Sequence, residues 1–586
     1  RGLLALPKRY LVDLHDVVAR DKYIARAHVA TAGGFVAILL LMLVIYLLGI
    51  RSNVFIYTLP IAAATMFLGA VFVALRRLSR KSESLSQGGW NRLALSLALL
   101  AIAVLGLQLG VGAASQLVFG ALLLWGLAEI LMGAAWGGPM KHAFAGALHL
   151  AFHPRPGRFT GTKLDSGLQP LELDSPKLGV ENPSDFPWNR LLAFDACVEC
   201  GRCEVACPAY AAQQPLSPKK FIQDLVVGLS GPRSDANYRG NGHPGRAIGQ
   251  AHGAPDQAIV PGLIGPDTVW SCTTCRACVY ECPMMIEHVD AIIDIRRFLT
   301  MEQGKTPGKG AQVLEDLRYT DNPGGFAPNS RMDWASDQNL PRMADKQQVE
   351  VLFWVGDAAF DLRNQRVLKA VVALLRIAAV DFAVLGEQEL DIGDVARRLG
   401  DDALFQDLAQ RNIATLSKYN FGRIVTCDPH VLHCLKNEYP AMGGRYQVEH
   451  HTTFFARLIR EHRLRIRHGT DSSVTYHDPC YLGRYNGEIE APRFLLQQMG
   501  FRVAEMERSG MRSRCCGAGG GAALTDIPGK QRIPDMRMED VRATGTQMVA
   551  VACPNCAVML EGVVQPRPDV KDVAELLVDA VGVGQA

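Results

Sequence analysis

Four long apolar stretches occupy the first quarter of the chain, at about 29–50, 54–75, 93–112 and 115–136. Each approaches the roughly 20 residues that an α-helix needs to cross a bilayer, so the pattern predicts four transmembrane helices in a membrane domain over 1–158. No small-residue cleavage site follows the first stretch, which argues against a removed signal peptide. The chain opens on Arg1 rather than Met, so residues upstream are expected. Past residue 348 the period changes. VEVLFWVG (349–356), DFAVLG (381–386) and RIVTC (423–427) read as strands, with helices near 364–377 and 403–418 between them. A second round follows in SVTYHDPC (473–480), a helix near 491–499, FRVAEM (501–506) and MVAVACPNC (548–556). Strands alternating with helices argue for α/β layers on parallel sheet, and two such rounds for an internal repeat over 349–445 and 446–586.

Charge separates the two ends. The whole chain is +3, but residues 1–163 hold 16 Lys and Arg against 5 Asp and Glu, so the rest is acidic. Lys8, Arg9, Arg20, Lys22 and Arg26 precede the first apolar stretch. Arg76, Arg77, Arg80, Lys81 and Arg92 lie between the second and third, and Lys141, Arg155, Arg158 and Lys163 follow the fourth. The two opposite loops contain only Arg51. By the positive-inside rule both termini face the cytoplasm, as in a multi-pass protein of a bacterial-type inner membrane. All 15 cysteines fall after residue 190, in tight clusters. Nucleic-acid binding and a secreted disulfide scaffold are both disfavoured.

Some polar residues of the membrane domain exceed what an anchor needs. Glu129 lies inside the fourth stretch, where an ionisable side chain is expensive and usually functional. After Gly138-Pro139, His142 and His149 stand seven apart on one face of an interfacial helix, and His28 lies at the same level before the first stretch. One reading is a quinone site with Glu129, His142 and His149 handling protons. A second is a haem b held by two of His28, His142 and His149. A third is that the histidines face lipid headgroups while Glu129 pairs with a neighbouring helix.

Residues 159–190 read as a Pro/Asp/Gly-rich linker. Two runs follow within 191–319: Cys197-x2-Cys200-x2-Cys203-x3-Cys207-Pro208 and Cys272-x2-Cys275-x2-Cys278-x3-Cys282-Pro283. Three thiolates on a short loop reach three corners of an iron–sulfur cube. The fourth, fixed by the next proline at a helix start, points to the other cube. One 4Fe–4S cluster is thus expected on Cys197, Cys200, Cys203 and Cys282, and a second on Cys272, Cys275, Cys278 and Cys207. Structural zinc would use two separated pairs instead. Between the runs, 228–265 is rich in Gly, Pro, Asn and His and reads as an exposed insertion, and 320–348 reads as a second linker.

The second α/β round carries Cys480, Cys515-Cys516-Gly517 and Cys553-x2-Cys556. Adjacent cysteines fit a zinc tetrahedron poorly and a larger cluster well. The run Gly517-Ala518-Gly519-Gly520-Gly521 is expected to bring backbone N–H groups close to inorganic sulfide. No Lys-Ser/Thr follows it, which argues against a phosphate cradle. WNRLLAFDACVECGRCEVACPAY (188–210) and VWSCTTCRACVYECPMMIEHVD (269–290) resemble the iron–sulfur subunit of heterodisulfide-reductase-type oxidoreductases, and the distal cysteines resemble their CCG domains. Together with the basic segment RYLVDLHDVVARDKYIARAHVATAGGF (9–35), the chain is similar to the dimethylglycine-catabolism group of that family. Its relatives include the iron–sulfur subunits of glycolate oxidase and anaerobic glycerol-3-phosphate dehydrogenase, and membrane oxidoreductases for electron-transfer flavoprotein.

The resemblance implies a noncubane 4Fe–4S cluster on Cys480, Cys515, Cys516, Cys553 and Cys556. It also implies a multidomain α plus α/β fold: a four-helix transmembrane segment, an α-helical bis-4Fe–4S ferredoxin domain and two α/β CCG-type repeats. The first repeat departs from the pattern, with Asp357, Asp391-Ile392-Gly393 and Asp428-Pro429-His430-Val431 where cysteines are expected. Cys427 and Cys434 remain, but two thiols among hard carboxylates do not make a soft thiolate cage. That repeat is expected to serve as a packing partner, which weakens disulfide reduction as the activity. No Gly-x-Gly-x-x-Gly opens a helix after a strand, so neither NAD nor flavin is expected on this chain. Clusters move single electrons, so the donor must be a flavoprotein. The resemblance implies electron-transfer flavoprotein or a flavin-dependent N-methyl amine demethylase such as dimethylglycine demethylase, with membrane quinone as acceptor. The competing functions are a thiol/disulfide reductase and a non-catalytic membrane scaffold.

Overall fold

The computed structural model describes residues 2–78, 85, 89–110, 112–136, 139–153, 168–230 and 255–582. The linker stretch 159–167 and most of the expected insertion, 231–254, lie outside them. Among the described residues, four helices are long and apolar enough to cross a membrane: Lys22–Leu47, Asn53–Leu78, Trp90–Gln108 and Ala113–Met132. The first starts at Lys22 rather than near 29 because Asp21 caps it, accepting from the backbone N–H groups of Tyr23 (3.0 Å) and Ile24 (3.1 Å).

Two further segments form a shelf beneath these helices. Residues 2–18 are helical and lie against the helix Lys141–Ala151, where Arg9 donates to the carbonyls of Leu150 (2.5 Å) and Ala151 (3.2 Å). The ferredoxin domain grips the shelf from the other side. Arg202 donates to the Val17 carbonyl at 2.7 Å, Arg20 meets Glu281 at 3.0 Å and lies 4.1 Å over the Tyr280 ring, and Lys141 pairs with Asp195.

The C-terminal part holds two four-stranded parallel sheets. The first contains β1 (Gln348–Trp354), β2 (Phe382–Ala383), β3 (Asn420–Thr426) and β4 (Val448–His450), in the order β2-β1-β3-β4. The second contains β5 (Ser473–Tyr476), β6 (Arg502–Val503), β7 (Met548–Val551) and β8 (Asp569–Asp572), in the order β6-β5-β7-β8. The matching order makes the duplication explicit. Val351–Trp354 is fully buried, as a central parallel strand covered by helices on both faces must be.

Two expected boundaries move. β4 pairs with β3, Ile424 opposite Val448, so the first repeat extends past 445. The 320–348 stretch is a packed brace rather than a linker: Pro328–Ala335 is a 3-10 helix with Arg331 and Trp334 buried, and Arg331 donates to the Gly356 carbonyl (3.0 Å) and to Glu389 (3.3 Å).

Candidate metal centres and the membrane cavity

The two ferredoxin loops share one backbone device. Glu199 (φ +48°) and Gly201 (φ +71°) in the first loop match Thr274 (φ +49°) and Arg276 (φ +59°) in the second, so both chains curl through left-handed residues between their cysteines. Glycine adopts that conformation freely, whereas Arg276 holds it at a cost of about 1–2 kcal/mol. The curl gathers Cys197, Cys200 and Cys203 with Cys282 of the other run, and Cys272, Cys275 and Cys278 with Cys207. Pro208 starts a helix (Pro208–Ala211) as expected, but Pro283 opens a turn and the next helix begins only at His288.

A third gathering lies against the second. The thiols of Cys480, Cys515, Cys516, Cys553 and Cys556 form a chain of contacts, with Cys516 and Cys556 at 3.2 Å, and Cys515 also meets Cys275. All 15 cysteines are free of disulfides. Burial raises Cys197, Cys203 and Cys278 well above the ordinary thiol range, with neighbouring acidic groups and thiolates adding to it, and pushes Cys272 up to about 11. Cys515 and Cys516 fall below that range because neighbouring thiols donate to them. Buried thiolates crowded in this way are unstable bare and stable around a shared cation. The soft, sulfur-only donor sets fit iron–sulfur clusters.

The glycine run turns the Gly517 N–H onto Cys515 Sγ at 3.3 Å, and it makes a second close approach that the sequence does not announce. A Cβ on Gly520 would sit 2.6 Å from the Cys272 carbonyl, and one on Gly519 2.6 Å from the Thr273 carbonyl. These glycines let the CCG loop press against the second ferredoxin loop. Two buried arginines hold that contact. Arg296 donates to the carbonyls of Val269 (2.8 Å), Cys272 (2.9 Å), Arg398 (2.8 Å) and Gly520 (2.7 Å), and Arg484 to those of Cys275 (2.6 Å) and Ser513 (2.7 Å). Tyr481 and Tyr485 add bonds to the Thr274 hydroxyl (3.0 Å) and carbonyl (2.5 Å). None of these four residues is singled out by motif spacing. The carbonyls that Arg296 holds lie 24 to 224 positions away, visible only after folding.

In the first repeat the aspartates at cysteine positions have local tasks. Asp428 caps the helix Pro429–His433 through the His430 N–H (2.8 Å), and Asp391 takes the Gly393 N–H at 2.6 Å. Burial pushes Asp391 well up, and the neighbouring Asp357 carboxyl adds to it. The His430 ring stacks on Tyr481 at 3.8 Å and its Nδ1 meets Asp394 at 2.7 Å. The repeat thus packs directly on the helix that carries Cys480.

A cavity of about 1220 Å³ separates the membrane helices from the ferredoxin domain. Its walls include Tyr10, His28, Arg77, Trp90, His142 and Cys200. His142 anchors Nδ1 on the Pro139 carbonyl and lies 5.1 Å from the Trp90 ring, and burial holds it below the ordinary histidine range. His15, which sequence reasoning missed, stacks edge-on to His28 at 5.5 Å. The other expected residues are elsewhere. Glu129 forms a two-pronged pair with Arg92, at 2.9 and 3.1 Å, and His149 turns to the ferredoxin side, where its Nε2 meets the Met284 carbonyl at 2.9 Å. Of the three histidines expected near a haem, only His28 and His142 share the cavity.

Family comparisons agree with this division. Residues 1–176 match a domain of unknown function (DUF3483), 196–286 a 4Fe-4S dicluster domain, and 351–436 and 474–561 a cysteine-rich (CCG) domain. A probable membrane-anchored ferredoxin of Chromohalobacter salexigens is 57% identical over 610 residues, covering 99% of this chain and 91% of the relative. An EtfAB:quinone oxidoreductase of Syntrophomonas wolfei subsp. wolfei is 36% identical, covering 68% of this chain and 60% of its own length. A dihydromethanophenazine:CoB–CoM heterodisulfide reductase polypeptide of Methanosarcina barkeri is 29% identical over 67% of this chain and 95% of itself. The chain belongs to the family of membrane-anchored ferredoxins, iron–sulfur oxidoreductase subunits built like that heterodisulfide reductase polypeptide with a membrane segment attached.

Proposed function

We propose that this chain carries electrons from a flavoprotein to membrane quinone, and that quinone docks in the cavity beside His142. The observation that carries the reading is the wall shared by that cavity and the first cysteine set, through Val198 and Cys200. Iron–sulfur clusters on the three cysteine sets supply single-electron carriers when bound, so the donor is a protein whose flavin splits a two-electron oxidation. The sets stand in line. The third touches the second at Cys515 and Cys275, the second and first exchange Cys207 and Cys282, and the first faces the cavity. On this reading the flavoprotein docks at the second CCG repeat. Electron-transfer flavoprotein fits, as the name of the Syntrophomonas relative suggests, and so does an N-methyl amine demethylase such as dimethylglycine demethylase.

At the membrane end Phe35, Leu93 and Leu97 offer an apolar bed for a ring and tail, and His28 and His142 offer polar contacts. His142 keeps Nδ1 on a carbonyl, so Nε2 is the nitrogen that exchanges a proton with a bound quinol. The pairs Arg20–Glu281 and Lys141–Asp195 join the basic helix ends to the ferredoxin domain, which supports both termini and all clusters on the cytoplasmic side. Each cysteine of the third set is 6% exposed or less, which supports electron transfer over direct reduction of a disulfide. Purified protein supplied with reduced flavoprotein is expected to reduce a quinone analogue. No turnover at full cluster occupancy would favour the scaffold, and turnover of disulfides alone the reductase.

A further inference from the structure

We propose that His477 is a sixth residue of the third centre, where its Nε2–H donates a hydrogen bond to cluster sulfur. The proposal rests on the reading that Cys480, Cys515, Cys516, Cys553 and Cys556 hold an iron–sulfur cluster. His477 directly follows β5 and has no exposed surface. A ring nitrogen of His477 and the Sγ atoms of Cys516 and Cys556 all lie within 4.8 Å of one another.

Distance alone would suggest an iron ligand. The hydrogen bonding says otherwise. The Nε–H of Arg537 donates to His477 Nδ1 at 2.9 Å. A guanidinium has no acceptor atom, so Nδ1 must be the bare nitrogen. The proton of the neutral ring then sits on Nε2, and a nitrogen that carries hydrogen cannot also bind iron. Nε2 is buried and has no partner among the described residues. A buried N–H with nothing to donate to is destabilising, and sulfur in the adjacent cysteine cage is the acceptor within reach.

The ring cannot turn to escape this arrangement. Arg537 is itself fully buried, and its Nη1 donates to the Arg508 carbonyl at 2.9 Å and to Asp540 at 3.2 Å. Asp540 holds Arg537, Arg537 fixes the tautomer of His477, and His477 presents a donor to the centre. Donors of this kind stabilise the more negative, reduced form of a cluster and raise its potential. His477 is thus a positioning and tuning residue for the third centre.

The test starts from the native protein, anaerobically prepared. Electron–nuclear double resonance on the third-centre signal is expected to show an exchangeable proton coupling and no directly bound nitrogen. A strongly coupled nitrogen would make His477 a ligand and overturn the proposal. His477→Leu is expected to lose that proton coupling and to shift the third-centre midpoint potential downward, leaving both cubane signals in place. His477→Gln, which keeps an N–H near the Nε2 position, is expected to recover most of the shift. Unchanged potential and coupling in His477→Leu would overturn it. If His477→Leu loses third-centre iron, the native coupling and the Gln variant decide. Native protein without iron on the third set would refute the cluster reading itself, and is told apart because it appears before any substitution.

Discussion

Arg484 donates its Nε–H to the carbonyl of Cys275 at 2.6 Å, so a residue of the CCG helix that begins at Cys480 holds the backbone of a ferredoxin cysteine. Through Nη1 the same guanidinium reaches the Ser513 carbonyl, two residues before Cys515. The juncture of the second and third cysteine sets is thus built from arginine and carbonyls, with the thiols of Cys275 and Cys515 meeting inside it.

Arg296 is the other half of that clamp, and its loss strands four buried carbonyls at once. Arg296→Met is expected to lower unfolding free energy by about 3 kcal/mol or more, since each orphaned buried group costs about 1–3 kcal/mol. Denaturant unfolding of the loaded protein measures it, with limited proteolysis of the 516–526 loop as a second readout. An unchanged midpoint would show that the clamp is not needed.

Cys516→Ser is expected to remove one paramagnetic signal and leave the two cubane signals intact. Iron should fall from about twelve to about eight atoms per chain, four per cluster. Loss of no signal would contradict the assignment of Cys516.

His142 and Glu129 are expected to behave oppositely. His142→Leu should cut quinone reduction more than tenfold with full iron content, because the residue lines the cavity. Glu129→Gln should retain turnover and lose stability, because Glu129 is committed to Arg92. In the same preparations a reduced-minus-oxidised spectrum is expected to lack a Soret shift. A clear shift would assign His28 and His142 to haem instead.

His288 gives the ferredoxin domain a pH dependence. Burial holds it down to about 4, against 6.5 for an ordinary histidine, with Nδ1 on the Ile286 carbonyl at 2.9 Å. Between those values the unfolded chain binds a proton that the folded chain refuses. Stability is full above 6.5 and declines as pH falls toward 4, by roughly 3 kcal/mol over the whole interval. His288→Asn is expected to flatten that slope in denaturant titrations, and equal slopes would refute the assignment.

Much of this architecture is legible in the chain because its signals are local. Twenty apolar residues in a row, a Cys-x2-Cys-x2-Cys-x3-Cys-Pro run and a change to alternating strands each need only neighbouring positions. The way the structure gathers the ferredoxin cysteines follows from one further rule about where the fourth cysteine points. What the sequence hides depends on distant backbone. His142 and His149 share a helix face by spacing, yet one enters the cavity and the other is drawn to the Met284 carbonyl. The glycine run signals close approach correctly but not to what, since the loop of Cys272 and Thr273 arrives from another domain. The 320–348 stretch reads as linker because its anchor, Arg331, finds Gly356 and Glu389 only after the first sheet forms.

The shelf formed by residues 2–18 and 141–151 has a practical corollary. Its grip on the ferredoxin domain runs through Arg20, Arg202 and Lys141, and it also floors the cavity beside Cys200. A water-soluble version trimmed at residue 168 would uncover the face around Tyr280 and leave the first cysteine loop open to oxygen. Handling the protein whole, in lipid or mild detergent, is what its own anatomy recommends.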